Sequence, residues 1–276
     1  MYKRQVFAYD DEVIAALIRA LEHESHFVRT QAASSLDPAV SSGHPGARSA
    51  LEKLLEDDIR SVRVNAAWAL RRSVKLDSQA GKDLLAYLNF NGDQPAGAMQ
   101  QGAFYLDRGE VQKALTYYAK SVEWDPNSPP MRHELAVVLS MAGRTQEAVA
   151  QLEQAAQLDP NEAEYPYKLA LAWNELGDTG KTLQYLEQAT RINQQHPRAW
   201  YNLGIARSAA GDMRGAIDAL VRAEGIQPEN PEFPYARATI HAQMRQIPEA
   251  IQAAQQALSI APVHPGANAL INQLRR

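Results

Sequence analysis

The sequence contains no cysteine. That excludes disulfides, thiolate metal sites and C-x-x-C-H haem attachment within this chain, and assigns no redox compartment. No apolar run is long enough to span a bilayer, so no membrane insertion is expected. Alternating Val/Ile/Thr patterns are missing, so no sheet is expected. The 28 Lys and Arg residues are interspersed with 32 Asp and Glu, for a formal net charge of -4. No basic stripe forms, and nucleic-acid binding therefore has no electrostatic footprint. There is no G-x-S-x-G elbow, no thiol and no glycine-rich phosphate loop. Nucleophilic catalysis needs a Ser or Cys beside a His, and nothing local suggests one. The chain is not expected to be an enzyme or to hold a cofactor.

What is present is helix formers, chiefly Ala, Leu, Gln and Glu, and a repeat. The segments VEWDPNSP, AQLDPNEA, EGIQPENP and LSIAPVHP end alike. Pro126 and Pro160 stand 34 residues apart, as do Pro228 and Pro262, and Pro160 and Pro228 are separated by twice that. Gln194 occupies the missing place. Further columns share the register. Gly102, Ala136, Ala170, Gly204 and Ala238 form one, on the first helix of each repeat. Ala114, Ala148, Thr182, Ala216 and Ala250 form a second. Ser121, Ala155, Ala189, Ala223 and Ala257 form a third. Small side chains let packed helices approach closely. Gly109, Gly143, Gly177 and Gly211 follow the first helix, where a left-handed residue ends it; Arg245 breaks that column.

These columns resemble a tetratricopeptide-repeat array, most clearly in WYNLGIARSAAGDMRGAIDAL. Five repeats are expected over residues 93–264, with a polar capping helix at 265–276. Residues 6–92 lack the columns but carry a second pair, FVRTQAASSL and SVRVNAAWAL, in which Arg29 and Arg63 match. This region resembles HEAT-type helical repeats. The two arginines are expected to bond the preceding acidic turns, a structural role. The expected fold is all-α, a right-handed α-solenoid of stacked helix pairs. The first five residues, MYKRQ, can be encoded GTG TAT AAG AGA CAG with GTG as start, which resembles a transposon end used in preparing sequencing libraries. They are expected to be an adapter scar on a longer chain, with a native start as the alternative.

The resemblance implies a concave surface lined by first helices, where the family binds peptides. Its groove-facing fifth position holds Met99, His133, Tyr167, Tyr201 and Tyr235 here. The tyrosines either contact a ligand or pack between repeats. Lys168 and Asn202 fill the sixth position, and Glu164, Arg198 and Glu232 the second. The family's carboxylate clamp of Lys, Asn, Asn, Lys and Arg is not matched in order. The HESH segment, with His23 and His26, reads as solvated turn histidines rather than a metal site.

The implied function is a non-catalytic scaffold binding a protein or peptide partner. The alternative follows from repeat order: HEAT-like repeats before such an array resemble the C-terminal part of bacterial multihaem c-type cytochromes. Redox chemistry would then lie upstream of this scaffold. That reading implies a periplasmic address, the other a cytoplasmic one.

Overall fold

A computed structural model of the chain describes residues 10–275. The MYKRQ stretch lies outside them. The fold is an all-α repeat solenoid, and no strand occurs among the described residues. The chain divides into two compact units, between Pro126 and Asn127.

The first unit contains α1 (Asp11–Ala20), α2 (His26–Ser35), α3 (Asp37–Ser41), α4 (Pro45–Lys53), α5 (Arg60–Ala69), α6 (Gln79–Phe90), α7 (Pro95–Asp107) and α8 (Val111–Trp124). Its core is aliphatic, with Leu36, Leu51 and Val62 at 0% exposure. A second cluster of Val64, Leu84, Leu88 and Phe104 carries the packing into α7. The matched arginines join successive helix pairs. Arg29 donates to the carbonyls of His23 and Glu24 and to the Asp57 carboxylate. Arg63 donates to the carbonyls of Asp57 and Asp58 and to Asp83. Each guanidinium thus satisfies one turn's exposed carbonyls while holding an acid from the following segment.

The second unit contains α9 (Pro129–Met141), α10 (Thr145–Leu158), α11 (Glu164–Glu175), α12 (Thr179–Ile192), α13 (Pro197–Ala209), α14 (Met213–Ile226), α15 (Glu232–Gln243), α16 (Ile247–Ile260) and α17 (Pro265–Leu274). The helices pair in order, and α17 packs on the last pair. The small columns are buried throughout. A Cβ added at Gly204 would come within 2.8 Å of Leu220 Cγ, so its smallness sets how closely α13 meets α14. Thr182 keeps its column because its hydroxyl donates to the Asp178 carbonyl. The four column glycines adopt φ between 73° and 89°, and Arg245 adopts the same left-handed turn at φ 59°. Gln194 does not alter its repeat either: α12 ends at the same register position as α10, α14 and α16.

Helix starts show a pattern finer than the 34-residue period. In the sequence H-P-x-A, at His44, His196 and His264, the imidazole is the N-cap. Its Nδ1 accepts the amide of the alanine three residues on, at 3.1, 3.2 and 3.1 Å. An accepting Nδ1 carries no proton, so the neutral ring is protonated at Nε2. The repeats between start with Glu-aromatic-Pro-Tyr instead, EYPY at 164–167 and EFPY at 232–235. The two kinds of start alternate from Glu164 to His264.

Candidate functional site

On each first helix of the second unit, burial of the small column leaves one stripe open to solvent. On α11 the stripe is Glu164, Lys168, Leu171 and Glu175; on α13 it is Arg198, Asn202, Ile205 and Ala209. These residues recur at three- and four-residue steps, which keeps them on one helix face. Across helices they align at the repeat period. The column Val137, Leu171, Ile205 and Thr239 is apolar in three of four places. Leu171 is 38% and Ile205 42% exposed, and Met141, one turn beyond Val137, is 61% exposed. Val137, Met141, Leu171, Lys168 and Glu175 line a cavity of about 230 Å³ between α9 and α11.

The adjoining edge is charged. Glu164 gathers three basic groups: His196 Nε2 at 3.4 Å, Lys168 Nζ at 3.5 Å and Arg198 Nη2 at 3.8 Å. These hold its carboxyl down to about 2, the His196 hydrogen bond contributing most. Glu164 is thus the one carboxylate set between Lys168 and Arg198.

The tyrosines stand behind this face. Tyr167 is 4% exposed. Its ring packs on His196, with centroids 4.7 Å apart, beneath the Arg198 guanidinium at 5.3 Å. Its hydroxyl accepts from Asn202 Nδ2 at 3.2 Å, and burial pushes its pKa up. Tyr201 is half-buried against Phe233, and Tyr235 half-buried against His264. His133 packs on Tyr165. The fifth-position rings of this unit thus pack toward the next helix pair, and Tyr167 also touches Asn202 and Arg198 of the solvent face. Met99 lies half-buried on α7 in the first unit.

Two features escaped the sequence reading. Val137, Leu171 and Ile205 form one, an aliphatic column at the 34-residue spacing beside the aromatic one. His196 and His264 form the other, each following a glutamate by 32 residues and preceding a proline. In the HESH segment, His23 Nδ1 accepts the Ser25 amide, while His26, expected as a solvated turn residue, instead begins α2 half-buried, its ring tilted against Phe27.

Tetratricopeptide-repeat family models match residues 105–171 and, in overlapping stretches, 175–231 and 201–265. This is a tetratricopeptide-repeat protein. A HEAT-repeat model matches residues 7–71, ahead of the tetratricopeptide array. A phenylalanine–tRNA ligase alpha subunit from Chlamydia trachomatis serovar A is 31% identical over 127 residues, covering 45% of this chain and 36% of that protein. The chain thus spans little more than a third of that curated relative's length. Among solved structures, MamA matches at 22% identity and TM-score 0.57, over 61% of this chain and 92% of that one. MamA from residue 41 onward of Desulfovibrio magneticus RS-1 matches at 19% and 0.58, over 63% and 98%. YrrB, described as a tetratricopeptide-repeat protein with an unusual peptide-binding site, matches at 18% and 0.56, over 67% and 95%. At these identities the likeness is one of fold. The tetratricopeptide repeats are those of protein–protein interaction scaffolds.

Proposed function

We propose that the tetratricopeptide array is a non-catalytic scaffold. It binds a peptide segment of a partner protein along the exposed face of its first helices. The exposed aliphatic column carries this reading. Leu171 and Ile205 leave apolar area in water at the same register of successive repeats, where a ligand's apolar side chains would cover it. Val137 and Met141 extend the strip. Lys168, Arg198 and Asn202 edge it and supply polar contacts, while Tyr167, Tyr201, Tyr235 and His133 hold the repeats that present it. Met99 is the equivalent position in the first repeat.

The test is to pan a random peptide display library on the full-length chain and on the double variant Leu171→Glu, Ile205→Glu. Peptides enriched on the parent should lose binding to the variant by about tenfold or more. Equal binding to both would overturn the proposal.

A second reading rests on the order of the repeats. HEAT repeats followed by tetratricopeptide repeats fit a docking module at the C-terminal end of a multihaem c-type cytochrome, with a periplasmic address. Reading the native locus upstream of Val6 tests it. Several in-frame C-x-x-C-H motifs support it, and their absence from the whole gene sinks it.

A further inference from the structure

The HEAT repeats carry an exposed aromatic surface that peptide binding by the array does not use. Phe90, the last residue of α6, is 82% exposed, and Tyr87 lies one turn before it, also exposed. With Val64 and Trp68 of α5 they wall a cleft of about 680 Å³. Phe27, 76% exposed, stands on α2, two turns before Ser34 on the same stripe, and Ser34 lines the cleft. Single exposed apolar residues are ordinary, but a walled cluster of three aromatics on two helices, α5 and α6, marks an interaction surface.

Part of this wall is held rigidly. The Arg71 guanidinium sits 4.8 Å from the centre of the Trp68 ring and donates to the Trp68 carbonyl. Arg71 is itself fixed by the carboxylates of Asp37 and Asp107. The indole is therefore presented in one orientation before any partner arrives, which lowers the cost of binding.

The charge of the cleft is one-sided. Arg60 lines it, and no carboxylate does. The acid that pairs with Arg60, Asp83, is buried. Its Oδ2 is taken by Arg63 at 2.7 Å, while its Oδ1 is shared between Gln79 at 3.2 Å and Arg60 at 3.4 Å. Two arginines thus lean on one carboxylate, and Arg60 stays mostly in solvent with donors to spare.

We propose that this cleft is a docking site for an acidic amphipathic segment of a partner protein. An apolar side chain of that segment sits between Trp68 and Phe90, and a neighbouring carboxylate pairs with Arg60. A second copy of the chain, docked symmetrically here, would double the cationic charge at the cleft and bring no carboxylate of its own lining to offset it. A nucleic acid would need many cationic contacts where this cleft offers one.

The experiment pans a random peptide display library on the full-length Leu171→Glu, Ile205→Glu variant, in which the array face is altered. Enriched peptides should carry Leu, Phe or Trp close to Asp or Glu. A synthetic copy of one is then titrated against three exposed-site variants made in that background. Phe90→Ser should weaken it about tenfold or more. Ala86→Glu, which adds a carboxylate to the cleft lining, should weaken it about tenfold, and Ala86→Lys should strengthen it about threefold. Unchanged melting temperatures identify these as losses of contact, and the opposite signs of the two Ala86 variants cannot both come from damaged folding. The proposal is overturned if no peptide is enriched, or if Ala86→Glu and Ala86→Lys act alike. It is also overturned if Phe90→Ser abolishes self-association of the chain, which makes a second copy the occupant. The array-face reading stands or falls separately, on peptides selected by the parent chain.

Discussion

His196 Nε2 lies 3.4 Å from Glu164 Oε2, and His264 Nε2 lies 3.1 Å from Glu232 Oε1, the same bond made twice across 32 residues. In each case the other ring nitrogen caps the next helix. One imidazole therefore ties the start of a helix to the start of the first helix one repeat earlier, and the cap dictates which nitrogen donates to the glutamate.

Glu164 should give the chain a measurable acid sensitivity. Its folded-state value of about 2 lies below the ordinary 4.5. A depressed carboxyl stabilises the fold above its unfolded value, and that contribution fades as pH falls from about 4.5 towards 2. With 32% of the side chain in water, screening leaves a contribution on the order of 1 kcal/mol. Glu164→Gln should lower stability at neutral pH by that amount and flatten the pH dependence in this window. Urea denaturation from pH 2 to 7 measures both. An unchanged acid limb would refute the assignment.

Removing a histidine cap should loosen one helix. His264→Ala should cost about 1 kcal/mol and speed exchange of the Ala267 amide, while His264→Asn should retain most of the cap. Hydrogen exchange read at Ala267 separates capping from the loss of the Glu232 contact, because asparagine restores only the former.

Tyr167 and Leu171 should separate stability from recognition. Tyr167→Ala empties a buried site and should cost about 3–4 kcal/mol. Tyr167→Phe, which removes only the bond from Asn202, should cost about 1 kcal/mol. Leu171→Glu, on the open face, should change stability by less than about 0.5 kcal/mol while weakening binding of array-selected peptides severalfold. Paired denaturation and titration check all three.

Arg245 should be a point of easy stabilisation. It holds φ 59° where its four counterparts are glycines. Arg245→Gly relieves the left-handed strain and should add about 0.5–1 kcal/mol, less the entropy a glycine loses on folding. A lower urea midpoint would show that the arginine makes a contact worth more than the strain.

Gly97 should tolerate nothing larger. A Cβ there would collide with the Asn91 carbonyl oxygen. Gly97→Ala must displace the backbone between α6 and α7, at a cost of about 2–3 kcal/mol or more by urea denaturation.

Much of the array was legible because its signals are local and repeated. Proline and glycine punctuation fixes helix ends, and small residues recurring every 34 residues mark where helices touch. Arg245 and Gln194 show how firmly the pattern holds: each breaks a column, yet the backbone keeps its course. The H-P-x-A motifs and the Val137, Leu171, Ile205 column are equally present in the sequence, but nothing local says that the imidazole caps its helix or that the column meets water.

By itself, then, the sequence determined the all-helical class, the repeat period and the small faces of the helices, because each depends on residues within a turn or two, copied at fixed spacing. The tertiary structure decided which side of a first helix meets water. It turned Tyr167 inward under Arg198 and left Leu171 and Ile205 outside. It joined Glu164 to His196 and assembled Trp68, Tyr87 and Phe90 around one cleft. Those relationships arise from how neighbouring helices rotate against one another as they bury their small columns, and no single segment encodes that rotation.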